Sequence, residues 1–237
     1  MDALTLFKSA AAILVVVFLY YGMDVRRKAG TRYFVTPVWQ TLMKICSFAL
    51  ITAFTWVAFS MRQLDIIDWL SLTVLVAGTA FVVAAKRALG AVHSFAGQYL
   101  EKPGLVMHGV YAGTRNPLYF GVFLCEFGAT LFMLHQTPLL LPQTHPYWLS
   151  AVAAALMYAV AFNGNMAVNE GRYLQECFGD AYRQYQARVP FLIPFIRPGK
   201  EVEKCLAHQL TPRKNDLSSS MRTKRFPEPA PGTTGSR

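Results

Sequence analysis

The sequence predicts an all-α fold of the polytopic membrane class, with about five transmembrane helices. Three observations predict it. The 237-residue chain is 54% hydrophobic and only 15% charged, too apolar and charge-poor for a soluble domain of this length. Five segments, Phe7 to Met23, Val38 to Phe59, Ile67 to Ala85, Pro117 to Leu134 and Tyr147 to Val168, approach the roughly 17–25 apolar residues a spanning helix needs. The basic residues are also divided very unequally between the two sets of loops that those helices create.

The first segment does not have the order of a cleaved signal. Only Lys8 lies at its start, whereas Arg26, Arg27, Lys28 and Arg32 follow it, as expected for a retained helix whose C-terminal end faces the cytoplasm. The second and third segments continue the alternation, so residues 24–37, 86–116 and 169–237 share one side and hold 20 of the 23 Lys and Arg. The other side receives only Lys8 and Arg62, and Lys44 can snorkel from the second helix. The N-terminus is therefore expected outside and the C-terminus in the cytoplasm. The net charge of +10 reads as membrane topology, and no nucleic-acid partner is expected.

Residues 1–88 read as a three-helix scaffold and residues 89–197 as the part that carries chemistry. Residues 198–237 turn polar, basic and rich in Ser, Pro and Gly, which is the composition of a disordered tail. Cys46, Cys125, Cys177 and Cys205 form no CxxC pair, and His93 and His108 are fifteen apart with no ligand at metal spacing, so no metal is expected. His135, His145 and His208 lie apart from them.

The fourth helix opens with Arg115-Asn116-Pro117, where Asn116 suits the N-cap and Pro117 the first helical position. Free amides and the positive end of the helix dipole, beside Arg115, make an anion site at the membrane surface; a simple interfacial anchor has the same composition. Tyr119 and Glu126 are seven residues apart on one face, and Glu126 falls near mid-bilayer, where ionisable residues mark function or a buried interhelical hydrogen bond. Asn163 and Glu170 repeat that spacing on the fifth helix, with Asn165 and Asn169 nearby. Their face is expected to turn toward the Arg115 region, with Glu170 pairing with Arg115 or binding a cationic or hydroxylated ligand. The short connection from Gln136 to Pro146 makes the fourth and fifth helices antiparallel neighbours.

Two stretches, LGAVHSFAGQYLEKPGLVMHGVYAGTRNPLYFG and NEGRYLQECFGDAYRQYQARVPFLIP, together resemble the isoprenylcysteine carboxyl methyltransferase and phospholipid methyltransferase superfamily. Leu105, Val106, Gly109, Tyr111, Arg115, Pro117, Tyr119 and Gly121 match the family's first pattern. Glu170, Leu174, Phe178, Gly179, Tyr182, Tyr185, Pro190 and Pro194 match the second. The resemblance implies S-adenosylmethionine as cofactor, bound by Val106, His108, Gly109, Val110, Tyr111, Arg115, Pro117, Tyr119 and Glu170. Arg115 and Glu170 are its polar contacts and the catalytic candidates; Glu126 and Asn163 are candidate substrate contacts.

Departures bear on the acceptor. Asn116 stands where the carboxyl methyltransferases have His, Gly171 replaces the second acid of an E-E pair, and Met107 and Val110 replace Thr and Pro. An Asn before the Pro is also seen in phosphatidylethanolamine methyltransferases, whereas the F-G-D-x-Y-R-x-Y and V-P-x-x-I-P endings resemble the carboxyl branch. The resemblance thus implies methyl transfer to a lipid or lipidated acceptor in the membrane: an isoprenylcysteine-type carboxylate first, or a phospholipid amine, for which Glu126 or Glu170 is the candidate base. An NADPH-dependent sterol-type membrane reductase and a non-catalytic membrane scaffold are the alternatives from other classes.

Overall fold

The computed structural model describes residues 2–22, 30–92, 97–141 and 146–194. Met23, Arg26, Arg27, Lys28, His93, His145, Cys205, His208 and the expected tail lie outside the described residues. Six helices follow in order: α1 (Ala3–Gly22), α2 (Pro37–Ser60), α3 (Ile66–Leu89), α4 (Pro117–Leu140), α5 (Pro146–Phe178) and α6 (Asp180–Arg188). The first five are long and apolar enough to cross a membrane, so the polytopic all-α expectation holds. Two three-residue strands, β1 (Thr31–Tyr33) and β2 (Gln98–Leu100), pair antiparallel between the connections that precede α2 and α4. Arg32 and Glu101 extend that pairing with an ion pair of 2.6 Å.

Prolines at the first turns of α2 and α4 suit a position whose amide has no helical partner. Asp65 and Asp68 form a reciprocal capping box at the start of α3. The closest helix pair is α3 with α4, which pack through small residues. A Cβ added at Gly121 would stand 2.7 Å from the Gly78 carbonyl oxygen, and one at Gly128 would stand 3.0 Å from that of Ser71. Phe7 of α1, Phe54 of α2 and Phe132 of α4 close the apolar core beside this seam, with Phe132 stacked on Phe7 at 5.5 Å.

The fourth helix runs six residues beyond the expected Leu134, through His135 and Gln136, because those polar side chains find partners inside the protein. Fully buried Asp68 accepts from Gln136 Nε2 at 2.7 Å and from the Asp65 amide at 2.8 Å, and lies 3.1 Å from His135 Nδ1. Removing the carboxylate leaves the Asp65 amide without this partner and buried Gln136 Nε2 with only the Gln63 carbonyl at 3.3 Å. Asp68→Ala is expected to lower stability by about 2–4 kcal/mol, read as a lower melting temperature of the purified protein in detergent. An unchanged melting temperature would show that this cluster does not hold α3 to α4.

Helix α5 has 33 residues, a length of about 50 Å, against about 30 Å of bilayer hydrocarbon. One or more of its turns must therefore stand outside the hydrocarbon. Helices α4 and α5 are neighbours as expected, joined by side chains at two levels, Tyr119 to Glu170 and Glu126 to Asn163, but α4 packs more closely along α3 and α5 along α2. A short connection sets direction, but the glycine seam decides which helix α4 embraces.

Candidate functional site

The site is organised by the connection before α4. Gly109 has φ +62°, a left-handed conformation that favours glycine, and opens a 3-10 turn over Gly109–Ala112. The following residues are fastened to the chain beyond α6. The Arg115 amide donates to the Pro190 carbonyl at 2.9 Å, and the buried Thr114 hydroxyl donates to that of Leu192 at 2.7 Å. The Tyr185 hydroxyl donates to the Tyr111 carbonyl at 2.6 Å.

Asn116 occupies the N-cap position, but its side chain makes no cap hydrogen bond. Its Nδ2 instead donates to the Phe191 carbonyl at 2.8 Å, so this residue ties the α4 entrance to the V-P-F-L-I-P segment. The amide donor of Asn reaches that carbonyl, and the capping role expected from its position is not used.

Val106, Tyr111, Arg115, Tyr119 and Glu170 line one pocket of about 70 Å³. Gln98, Tyr99, Asn116, Tyr173 and Tyr185 share it. Of the other residues expected here, Val110 and Pro117 do not line it, and His108 and Gly109 are exposed. Pro117 is buried as the first residue of α4. Tyr99 and Tyr173 could not have been found by spacing, because they meet, with centroids 4.6 Å apart, only through the β1–β2 pairing and the extension of α5.

Arg115 and Glu170 share this pocket, yet no ion pair joins them among the described residues. The Arg115 guanidinium lies 5.5 Å from the Phe191 ring and beside the Tyr182 hydroxyl, and its Nε is buried without a hydrogen-bond partner. The Glu170 carboxylate takes its hydrogen bond from the Tyr119 hydroxyl. Each charge is therefore left with capacity for another molecule. Burial pushes the Tyr111 and Tyr185 hydroxyls up from the usual phenol range, with the Glu170 charge adding for Tyr111 and Tyr182 for Tyr185; the Arg115 guanidinium acts the other way on Tyr185. These phenols remain neutral walls at neutral pH.

Gly171 stands where the family pattern has a second acid. An added Cβ there would lie 3.4 Å from the Tyr182 hydroxyl, so its replacement leaves room beside the Arg115 neighbourhood.

The face carrying Asn163 does not turn to Arg115 as expected. Asn163 Nδ2 donates to Glu126 Oε1 at 3.2 Å, and both line a separate, mainly apolar, partly open cavity of about 140 Å³ with walls from residues of α1 through α5. Seven residues are about two full turns, so Asn163 and Glu170 share a direction, but Asn163 lies about 10 Å along the axis from Glu170 and so belongs to a different layer of the bundle. Leu118 and Tyr119 line both spaces and form the partition between them.

Five helices long and apolar enough to span, with a pocket at the start of α4 that holds Arg115 and Glu170 and a mainly apolar cavity behind it, define an integral membrane protein of the polytopic helical class. Residues 66–181 match the phospholipid methyltransferase family. The chain is also 30% identical over 138 residues to the protein-S-isoprenylcysteine O-methyltransferase of Schizosaccharomyces pombe, a match covering 58% of this chain and 52% of that protein. By both matches this chain is similar to the isoprenylcysteine carboxyl methyltransferase and phospholipid methyltransferase superfamily, the family match taking in 116 of its 237 residues. It spans about half the length of the curated relative it matches. The family match begins at the start of α3 and so takes in the glycine seam.

Proposed function

We propose that this chain is an S-adenosylmethionine-dependent methyltransferase acting on a hydrophobic acceptor held in the membrane, with an isoprenylcysteine-type carboxylate as the acceptor class. One observation carries the reading: a guanidinium with a buried, unpartnered Nε and a carboxylate held by the Tyr119 hydroxyl line the same pocket, one tyrosine away from an apolar cavity among the spans. That donor set fits an amino-acid-bearing cofactor, since Arg115 can hold a carboxylate and Glu170 an ammonium or ribose hydroxyls. S-adenosylmethionine, when bound, supplies a methyl group activated on a sulfonium.

The chain's own residues supply orientation and dryness. Arg115 sits where α4 begins, so the helix's free amides add to its pull on an anion. Tyr119 holds one side of the Glu170 carboxylate and leaves its remaining lone pairs to a ligand. Tyr111 and Tyr185 close the wall without bringing charge. A carboxylate acceptor has no proton to lose, which suits a pocket whose carboxylate is engaged in binding.

A phospholipid amine is the second reading, favoured by Asn116 before Pro117 and by the family matched. Neither match favours the reductase or the scaffold. We read the Arg115 side as cytoplasmic on the charge asymmetry alone. Incubating the purified protein with methyl-labelled S-adenosylmethionine, a lipid extract and a prenylated cysteine separates the acceptors: label in the cysteine product supports the first reading and label in phospholipid the second. Glu170→Gln is expected to weaken cofactor binding by at least tenfold, because a charge-assisted contact becomes a neutral one. Wild-type affinity of that variant in a calorimetric titration would remove Glu170 from the cofactor site.

A further inference from the structure

The cavity behind Tyr119 is lined almost wholly by hydrocarbon from α1, α2, α3, α4 and α5. A plain hydrocarbon chain would be matched by most of these walls, with Ser47, Thr79, Lys86, Thr130, Asn163 and Glu126 as the polar exceptions. Among the described residues, Glu126 alone of them has a buried side-chain atom without a partner. There Asn163 holds one carboxyl oxygen at 3.2 Å, while the other, Oε2, is buried without any hydrogen-bond partner. The neighbouring hydroxyls are engaged elsewhere: Thr130 donates to the Glu126 backbone carbonyl at 2.7 Å, and Thr79 lies 3.7 Å from Cys125 Sγ. A polar atom left unpaired in this setting is costly, and a ligand that pairs it recovers that cost.

We propose that the occupant of this cavity carries a hydroxyl group within its hydrocarbon part, and that Glu126, oriented by Asn163, selects for it. A hydroxyl both donates and accepts, so it pairs with the Glu126 oxygen whether or not that carboxyl holds a proton. The last torsion of a glutamate is soft, and the oxygen not held by Asn163 can turn into the cavity at little cost. Seven residues of α4 separate Glu126 from Tyr119, about 10 Å along the axis, which places the hydroxyl mid-chain when the polar end of the molecule reaches the Arg115 pocket.

The inference rests on the methyltransferase reading in one respect, that the occupant is the acceptor, and it narrows that acceptor class to members whose hydrocarbon chain is hydroxylated. Its test is therefore a binding measurement, with cofactor binding measured on the same preparation. Ricinoleate and oleate differ by one mid-chain hydroxyl and are competed for the purified full-length protein in detergent. The wild type is expected to prefer ricinoleate roughly tenfold, as one buried hydrogen bond allows. Glu126→Leu is expected to abolish the preference, and Glu126→Gln to keep part of it. Equal affinity of the wild type for the two probes overturns the inference, as does a preference that survives Glu126→Leu. If Glu126→Leu is not recovered folded, the wild-type comparison still decides. A preserved preference without any S-adenosylmethionine binding would overturn the acceptor role and the methyltransferase reading while leaving the hydroxyl site in place. Cofactor binding without the preference overturns the hydroxyl site alone.

Discussion

Arg115→Ala is expected to weaken S-adenosylmethionine binding by about ten- to a hundredfold, with little change in melting temperature. The two readouts separate because the guanidinium makes few contacts whose loss would loosen the fold. Its Nε is buried and unpartnered, its neighbour Tyr182 is a neutral phenol, and its stacking on Phe191 at 5.5 Å contributes about 0.5–1 kcal/mol in such settings. A charge-assisted hydrogen bond to a ligand carboxylate contributes about 1.5–3 kcal/mol, which sets the expected fold-change. Arg115→Lys restores charge without the planar fork and should fall between the two. The measurement is a calorimetric titration beside a thermal melt. Wild-type affinity in Arg115→Ala would show that the guanidinium, with its unpartnered Nε, does not serve the cofactor.

Gly121→Val is expected to prevent recovery of folded protein. The added Cβ would stand 2.7 Å from the Gly78 carbonyl oxygen and 2.8 Å from the Val82 amide nitrogen, both of them backbone atoms of α3. No rotamer change relieves backbone against backbone, so the two helices must separate along a seam that also buries Ser71, Leu75 and Cys125. Overpacking costs about 1–3 kcal/mol where side chains can shift, and here the cost lies at or above that range. Gly164→Ala is the matched control. Nothing lies within 4 Å of a Cβ at that position of α5, and alanine gains about 1 kcal/mol of helix propensity. Size-exclusion profiles of the two variants in detergent check the contrast; a monodisperse Gly121→Val protein with a wild-type melt would show that the α3–α4 seam yields.

The position of Arg115 was legible because arginine, asparagine and proline in sequence mark a helix start wherever they occur. Its relation to Glu170 was only half legible. The spacing on α5 put a carboxylate near the basic side, and the structure brings it into the same pocket, but Tyr119 and not Arg115 is its partner. Asn116 does stand at the N-cap, as its place before Pro117 implies, but its side chain is used elsewhere. Its N-cap position is a local fact, whereas the Phe191 carbonyl that captures its side chain arrives from 75 residues away.

By itself the sequence determined the membrane class, the five spans, the unequal charge of the two sides and the resemblance that the family matches bear out. Those features are sums or short-range patterns: a span is a run of apolar residues long enough for the bilayer, and a helix start is a few adjacent residue types. Only the tertiary structure decided that α4 embraces α3, that Glu126 faces Asn163 beside an apolar cavity, and that Arg115, with its buried unpartnered Nε, and Glu170, held by Tyr119, line one pocket. These depend on which helix faces meet. Among helices that are apolar on most sides, periodicity does not choose the partner; the absence of a Cβ at Gly78 and Gly121 does, by letting two backbones approach where any other pair of helices would be held apart.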